Sequence, residues 1–210
     1  MRRPLLRLWE KFCNLLWEYK LGINTRVMAQ APVPDSGHYV PHNYSLIWAI
    51  LHSLPLSSSD VFVDIGCGKG RVICCAARFN IREVTGVEIS KNLCEIAERN
   101  AVRLSRRRAP ITIINTPAQD CDYLNGTVFY LFNPFGALTL RRVLLKIQLS
   151  LSAHPRFVRV VYVNPQHESL FHAHDWLELY DRWEPGRHPE LAHDISFWRS
   201  KDARKTWARP

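Results

Sequence analysis

The sequence predicts an α/β fold: a doubly wound, mostly parallel sheet with an antiparallel edge strand and an N-terminal helical cap. Three observations carry that expectation. From residue 61 onward, short β-branched and aromatic runs alternate with helix-patterned stretches, the order that builds a parallel sheet. The first of those runs, VFVDI at 61–65, opens directly into closely spaced glycines and then a helix. Two late strand-like runs, 176–183 and 194–199, fit an added antiparallel pair at one edge.

Taken in order, residues 4–20 predict an amphipathic helix. Pro4 suits a first turn, and Leu5, Leu8, Trp9, Phe12, Leu15, Leu16 and Tyr19 recur at the three–four spacing of one face. Gly22 can end it. That face packs the helix onto the domain as a cap, or serves as a basic amphipathic anchor for a membrane or an acidic partner. QAPVPDSG at 30–37 reads as a linker, and 45–54 has helical spacing. Strands follow at 61–65, 84–88, 111–115, 127–132 and 157–163, with helices at 70–79, 90–104, 137–152 and 166–173; Ser90 is a plausible N-cap. The domain organisation expected is a helix and linker over 1–37, a ligand-binding domain over 38–200 and a basic tail over 201–210.

The 210 residues carry a net charge of +9, unevenly spread. Residues 1–30 and 199–210 each contribute +4, leaving about +1 for the body. Basic tails around a nearly neutral body argue against a basic groove through the fold and leave room for an acidic partner at the tails. No apolar run approaches the length of a membrane span. Glu10 and Lys11 interrupt the apolar stretch near the N-terminus, which therefore does not read as a signal peptide. Six cysteines occur without a CxxC pair, so zinc-finger and thioredoxin readings lack support. Reduced thiols point to a cytoplasmic setting.

The strongest local signal is VFVDIGCGKGRV, residues 61–72. Glycines at 66, 68 and 70 allow a tight turn and close approach of the backbone to a ligand. The helix that follows presents free N–H groups. A phosphate-binding P-loop cannot be aligned here, and the dinucleotide pattern GxGxxG fails because Arg71 and Ile73 stand where its third glycine belongs. What remains is GxGxG preceded by Asp64. Glu88 ends the strand VTGVE twenty residues after Gly68, where a carboxylate can accept both hydroxyls of a ribose. Asn133-Pro134-Phe135 follows the fourth strand, and Asn-Pro with Gly136 also suits a plain strand-ending turn.

Together these residues resemble the class I S-adenosylmethionine (SAM)-dependent methyltransferases. From Tyr39 to Val72 the resemblance is to Dot1-like lysine methyltransferases and to related bacterial enzymes of unassigned substrate. It implies a Rossmann-like fold, S-adenosyl-L-methionine as cofactor, and cofactor contacts from Tyr39, Tyr44, Asp64, Gly66, Gly68, Gly70 and Glu88. Asp64 would orient the loop and reach the methionine amino group. Asp120 takes the adenine position, although Asn115-Thr116-Pro117 lacks the usual acid–small pair. Asn133, Pro134 and Phe135 resemble the (Asp/Asn)-Pro-Pro-(Tyr/Phe) motif of amino-directed enzymes with one proline missing, and are the candidate catalytic residues.

The function expected is methyl transfer to an acceptor nitrogen, a protein lysine ahead of a nucleobase. The alternatives are a small-molecule methyltransferase and an inactive SAM-binding scaffold. No metal is expected. His167, His172, His174 and Asp175 cluster in sequence, but 172 and 174 point to different faces of a helix. Arg103, Arg106, Arg107 and Arg108 sit where cations complement a helix C-terminus.

Overall fold

A computed structural model describes residues 2–26, 42–188 and 191–201, with side chains from Leu8 onward. All seven expected strands join one sheet in the order β3-β2-β1-β4-β5-β7-β6. They are β1 (Val61–Ile65), β2 (Glu83–Glu88), β3 (Ile111–Asn115), β4 (Val128–Phe132), β5 (Arg159–Val163), β6 (Leu177–Trp183) and β7 (Ile195–Ser200). The first five are parallel. β7 runs antiparallel to both β5 and β6, so the two late runs form the antiparallel edge as anticipated. Chain order reverses between β1 and β4, the switch point at which ligands bind in such sheets.

Period-two alternation sorts side chains onto two cores. Phe62 and Tyr130 face one layer with Ile47, Leu51 and Ile73. Val61, Val63 and Phe129 face the other, with Leu140, Leu144, Phe171 and Trp198. The first layer holds α2 (Tyr44–Ser53) and α3 (Arg71–Ala76), against which α4 (Lys91–Arg103) packs. The second holds α5 (Ala137–Ala153) and α6 (Ser169–His172). Ser90 caps α4 by accepting from the Leu93 N–H. Trp198 is a core residue whose indole donates to Ser196 Oγ. His172 and His174 pack edge-on against Trp198 and Trp176.

The N-terminal helix α1 (Arg2–Leu21) is a cap, but its packed face is the opposite of the one its hydrophobic spacing selects. Asn14, Trp17, Glu18 and Leu21 face the domain, while Leu8, Trp9, Phe12, Leu15, Leu16 and Tyr19 are exposed. The reason is specific polar pairing. Asn14 Oδ1 accepts the Tyr44 N–H at 3.0 Å, and Asn14 Nδ2 donates to Asn43 Oδ1 at 2.9 Å. These bonds cap the start of α2, whose own N-cap side chain makes no capping bond. Glu18 pairs with Arg71 and Arg26. Trp17 lies against Tyr44 and Trp48, and Leu21 and Ile23 enter the core. No helix among the described residues is long and apolar enough to cross a membrane.

Candidate functional site

The site gathers at the carboxyl ends of β1, β2 and β4. Gly66, Gly68 and Gly70 have φ of 85°, 54° and 82°, a region that L side chains rarely occupy. The turn is pinned to β2, since the Gly66 and Cys67 N–H groups both donate to the Val87 carbonyl. Glu88 Oε2 accepts the Gly68 N–H and Oε1 accepts the Ser90 N–H, each at 2.9 Å. The carboxylate thus fixes the loop through one lone pair on each oxygen and keeps the second for a ligand.

The loop and the turn after β4 touch directly. A Cβ built on Gly66 would stand 2.6 Å from Pro134 Cβ, so only glycine fits there. Asn133 lies at φ 36° in the left-handed region that asparagine tolerates. Asn164 before Pro165 adopts the same conformation at the end of β5. An Asn-Pro strand ending is therefore a general device in this chain, and what distinguishes Asn133 is its place beside the glycine loop. Its Oδ1 accepts from the Tyr162 hydroxyl at 3.2 Å, which also receives the His167 N–H. Pro134 and Phe135 are half-buried.

Two carboxylates dominate the electrostatics. Asp64 is buried, and burial first and the neighbouring Glu88 second push its pKa up to about 8. Glu88 is also raised by burial, against the backbone donors that lower it. Two buried acids held above their ordinary range suit a ligand that brings an ammonium group and hydroxyl donors. Gly86 completes the cradle: a Cβ there would meet Cys67 Sγ at 2.7 Å and Ile73 Cδ1 at 3.1 Å. Gly86→Ala should lower stability by about 1–3 kcal/mol through overpacking, read as a fall in the urea midpoint with an unchanged slope.

Tyr44 is fully buried between cap and core, beneath Arg71, with its hydroxyl 3.3 Å from Thr25 Oγ1. Asp120 is exposed at the end of a single 3-10 turn, Ala118–Asp120, that packs on α5. Tyr39 lies outside the described residues.

Three residues to which the motifs gave no role in the site belong to its framework. Arg71 donates to Glu18, to Thr25 Oγ1 and to the His42 carbonyl, and its guanidinium lies over the Tyr44 ring. His42 packs edge-on against Phe132 at the end of β4. Burial, with His193 and Arg71 nearby, lowers its pKa to about 3, and its Nε2 has no hydrogen-bond partner among the described residues. Tyr162 orients Asn133. Only Arg71 was visible in a motif, as the residue that breaks the dinucleotide pattern.

The order of the strands, the glycine turn after β1 and the acid ending β2 decide the fold. It is the fold of the class I SAM-dependent methyltransferases. Residues 36–114 match the family described as Histone methylation protein DOT1. A protein-lysine N-methyltransferase of Saccharolobus islandicus is 40% identical over 53 residues, which is 25% of this chain and 33% of that protein. This chain therefore spans about a third of that relative. Among solved structures, an RNA methyltransferase from Salinibacter ruber bound to S-adenosyl-L-homocysteine aligns with a TM-score of 0.52 at 21% identity, over 77% of this chain and 92% of that one. A ribosomal protein L11 methylase from Lactobacillus delbrueckii aligns with a TM-score of 0.55 at 16% identity, over 75% and 77%. A protein from Pyrococcus horikoshii reaches 0.61 at 15% identity, over 92% and 98%.

Proposed function

We propose that this chain is a SAM-dependent N-methyltransferase whose acceptor is the side-chain amine of a protein lysine. The observation that carries the reading is the contact between Gly66 and Pro134, which joins a cofactor-type glycine loop to an amine-directed Asn-Pro-Phe turn. The match to the Histone methylation protein DOT1 family and the lysine methyltransferase relative support lysine over other acceptors.

SAM supplies an activated methyl on a sulfonium sulfur. An acceptor nitrogen would take that methyl by direct displacement, with S-adenosylhomocysteine leaving and the nitrogen releasing a proton. This chain's residues contribute position and environment. Asp64 would hold the methionine ammonium and Glu88 the ribose hydroxyls, while Gly66, Gly68 and Gly70 would let the backbone lie against the cofactor. Asp120, after β3, would meet the adenine end. Asn133 Oδ1, held by Tyr162, and the Pro134 carbonyl accept the amine's N–H groups, with Phe135 bordering the approach. Burial holds His42 too far below the ordinary imidazole range to serve as a base for a lysine ammonium.

The test is transfer of labelled methyl from SAM to a panel of lysine-bearing proteins, with RNA in parallel. Asn133→Ala should lower kcat about 10²-fold and leave S-adenosylhomocysteine affinity unchanged. Label entering RNA but not lysine overturns the acceptor assignment. Failure to bind S-adenosylhomocysteine overturns the methyltransferase reading as a whole.

A further inference from the structure

The cap helix presents its hydrophobic side to solvent. Leu8, Trp9, Phe12, Leu15, Leu16 and Tyr19 are 62%, 62%, 50%, 43%, 42% and 88% exposed. They form one continuous stripe at the three–four spacing, with Trp9 and Phe12 in ring contact. A scattered exposed leucine needs no explanation, but a contiguous apolar stripe along a whole helix does. The stripe is not left over from poor packing. The opposite face is engaged by Asn14, Trp17, Glu18 and Leu21 in bonds that fix the helix's rotation.

Charge decides what the stripe fits. At 100° per residue, Lys11 and Lys20 lie on the two flanks of the stripe, where long cationic side chains border an apolar face. The fold then brings a second basic group to the same end of the molecule. The Ser105 N–H donates to the Leu21 carbonyl, and Gly22 sits against the Arg103 carbonyl. The exposed Arg103, Arg106, Arg107 and Arg108 therefore adjoin the C-terminal end of the helix. Sequence distance hides this juxtaposition of the two features.

We infer that this face is a docking surface for an anionic lipid bilayer, on which the helix lies in the interfacial plane. The aromatic and leucine side chains would enter the acyl boundary, while the lysines and the arginine cluster would meet lipid phosphates. A nucleic acid has no use for a leucine stripe, and a second copy of this chain would bring like charges together around it.

Co-sedimentation of the full chain with vesicles tests this directly. Vesicles of phosphatidylcholine with 30% phosphatidylglycerol should bind it at least tenfold more tightly than phosphatidylcholine alone. Phe12→Glu with Leu16→Glu should abolish binding to both. Arg106→Ser with Arg107→Ser should weaken only the anionic component and reduce its salt dependence. Thermal unfolding of each variant confirms that the fold persists. The proposal is overturned if the unaltered chain does not bind anionic vesicles, or if the double glutamate variant binds as well as the original. It is equally overturned if light scattering finds a dimer that the glutamates dissolve and no vesicle binding accompanies it. None of these readouts depends on methyl transfer, so failure here and failure of the methyltransferase reading are separable.

Discussion

Arg71→Ala should destabilise the chain by about 2–4 kcal/mol and weaken S-adenosylhomocysteine binding at least tenfold. Arg71 is 4% exposed and is the first residue of α3, directly after the glycine turn. It ties three separate stretches to that turn: Glu18 from α1, Thr25 from the segment after it, and the His42 carbonyl before α2. Removing the guanidinium leaves Glu18 buried with the half-exposed Arg26, the Thr25 donors and the charge of Lys69. Breaking a buried pair from one side is costly because the remaining charge stays desolvated. The pairing with Arg26 is why the expected loss falls at the lower part of the usual range. Affinity falls as well, because this side chain ties the cap to the domain directly beside the glycine turn. Urea unfolding and calorimetric titration measure the two effects. Glu18→Gln combined with Arg71→Met should be milder than Arg71→Ala alone, since no buried charge is then orphaned. If the double variant were the less stable, the pair would be holding the cap by something other than charge compensation.

Arg71 also shows where reading the sequence ran out. The strand order and the antiparallel edge were legible because each strand is a short β-branched run bounded by turn residues, and because the glycine turn and Glu88 sit at fixed offsets from strand ends. The partners of Arg71 lie 29 to 53 residues away, and nothing local announces them. Tyr162 was hidden in the same way, inside a strand whose hydrophobicity explains it without any further role. The rotation of α1 failed for a different reason. Hydrophobic periodicity finds a stripe but does not say which side of the helix the domain claims. Here Asn14 and Glu18 found specific partners on the domain, and the apolar stripe did not. Asn133 could be placed by its motif, but only the Gly66–Pro134 contact separates it from the equally strained Asn164.

Asp64→Asn should stabilise the ligand-free chain at pH 8 by about 2–4 kcal/mol while weakening S-adenosylhomocysteine binding ten- to a hundredfold. The folded carboxyl titrates near pH 8 against about 3.9 in the unfolded chain. The folded state therefore binds this proton more tightly. The stability it contributes is fully present below about pH 4 and is lost as pH rises through the folded value. Asn keeps the shape of the side chain and removes the titration, so the fall in stability between pH 5 and pH 8 should flatten. Asp60 does not confuse the window. Hydrogen bonds from Thr127, Ser57 and Arg159, together with the charge of Arg159, outweigh burial and hold it below its ordinary value, so its contribution changes only in more acid solution. Glu88, raised in the same direction by burial, leaves a residual slope of its own. The two halves of the prediction have one cause. A carboxylate held against burial and a like charge is unfavourable until a cation arrives, and under the proposed function the ammonium of the nucleoside cofactor would be that cation. If Asp64→Asn lowered stability at pH 8, or left both the pH slope and the affinity unchanged, Asp64 would be a structural acid with a partner of its own.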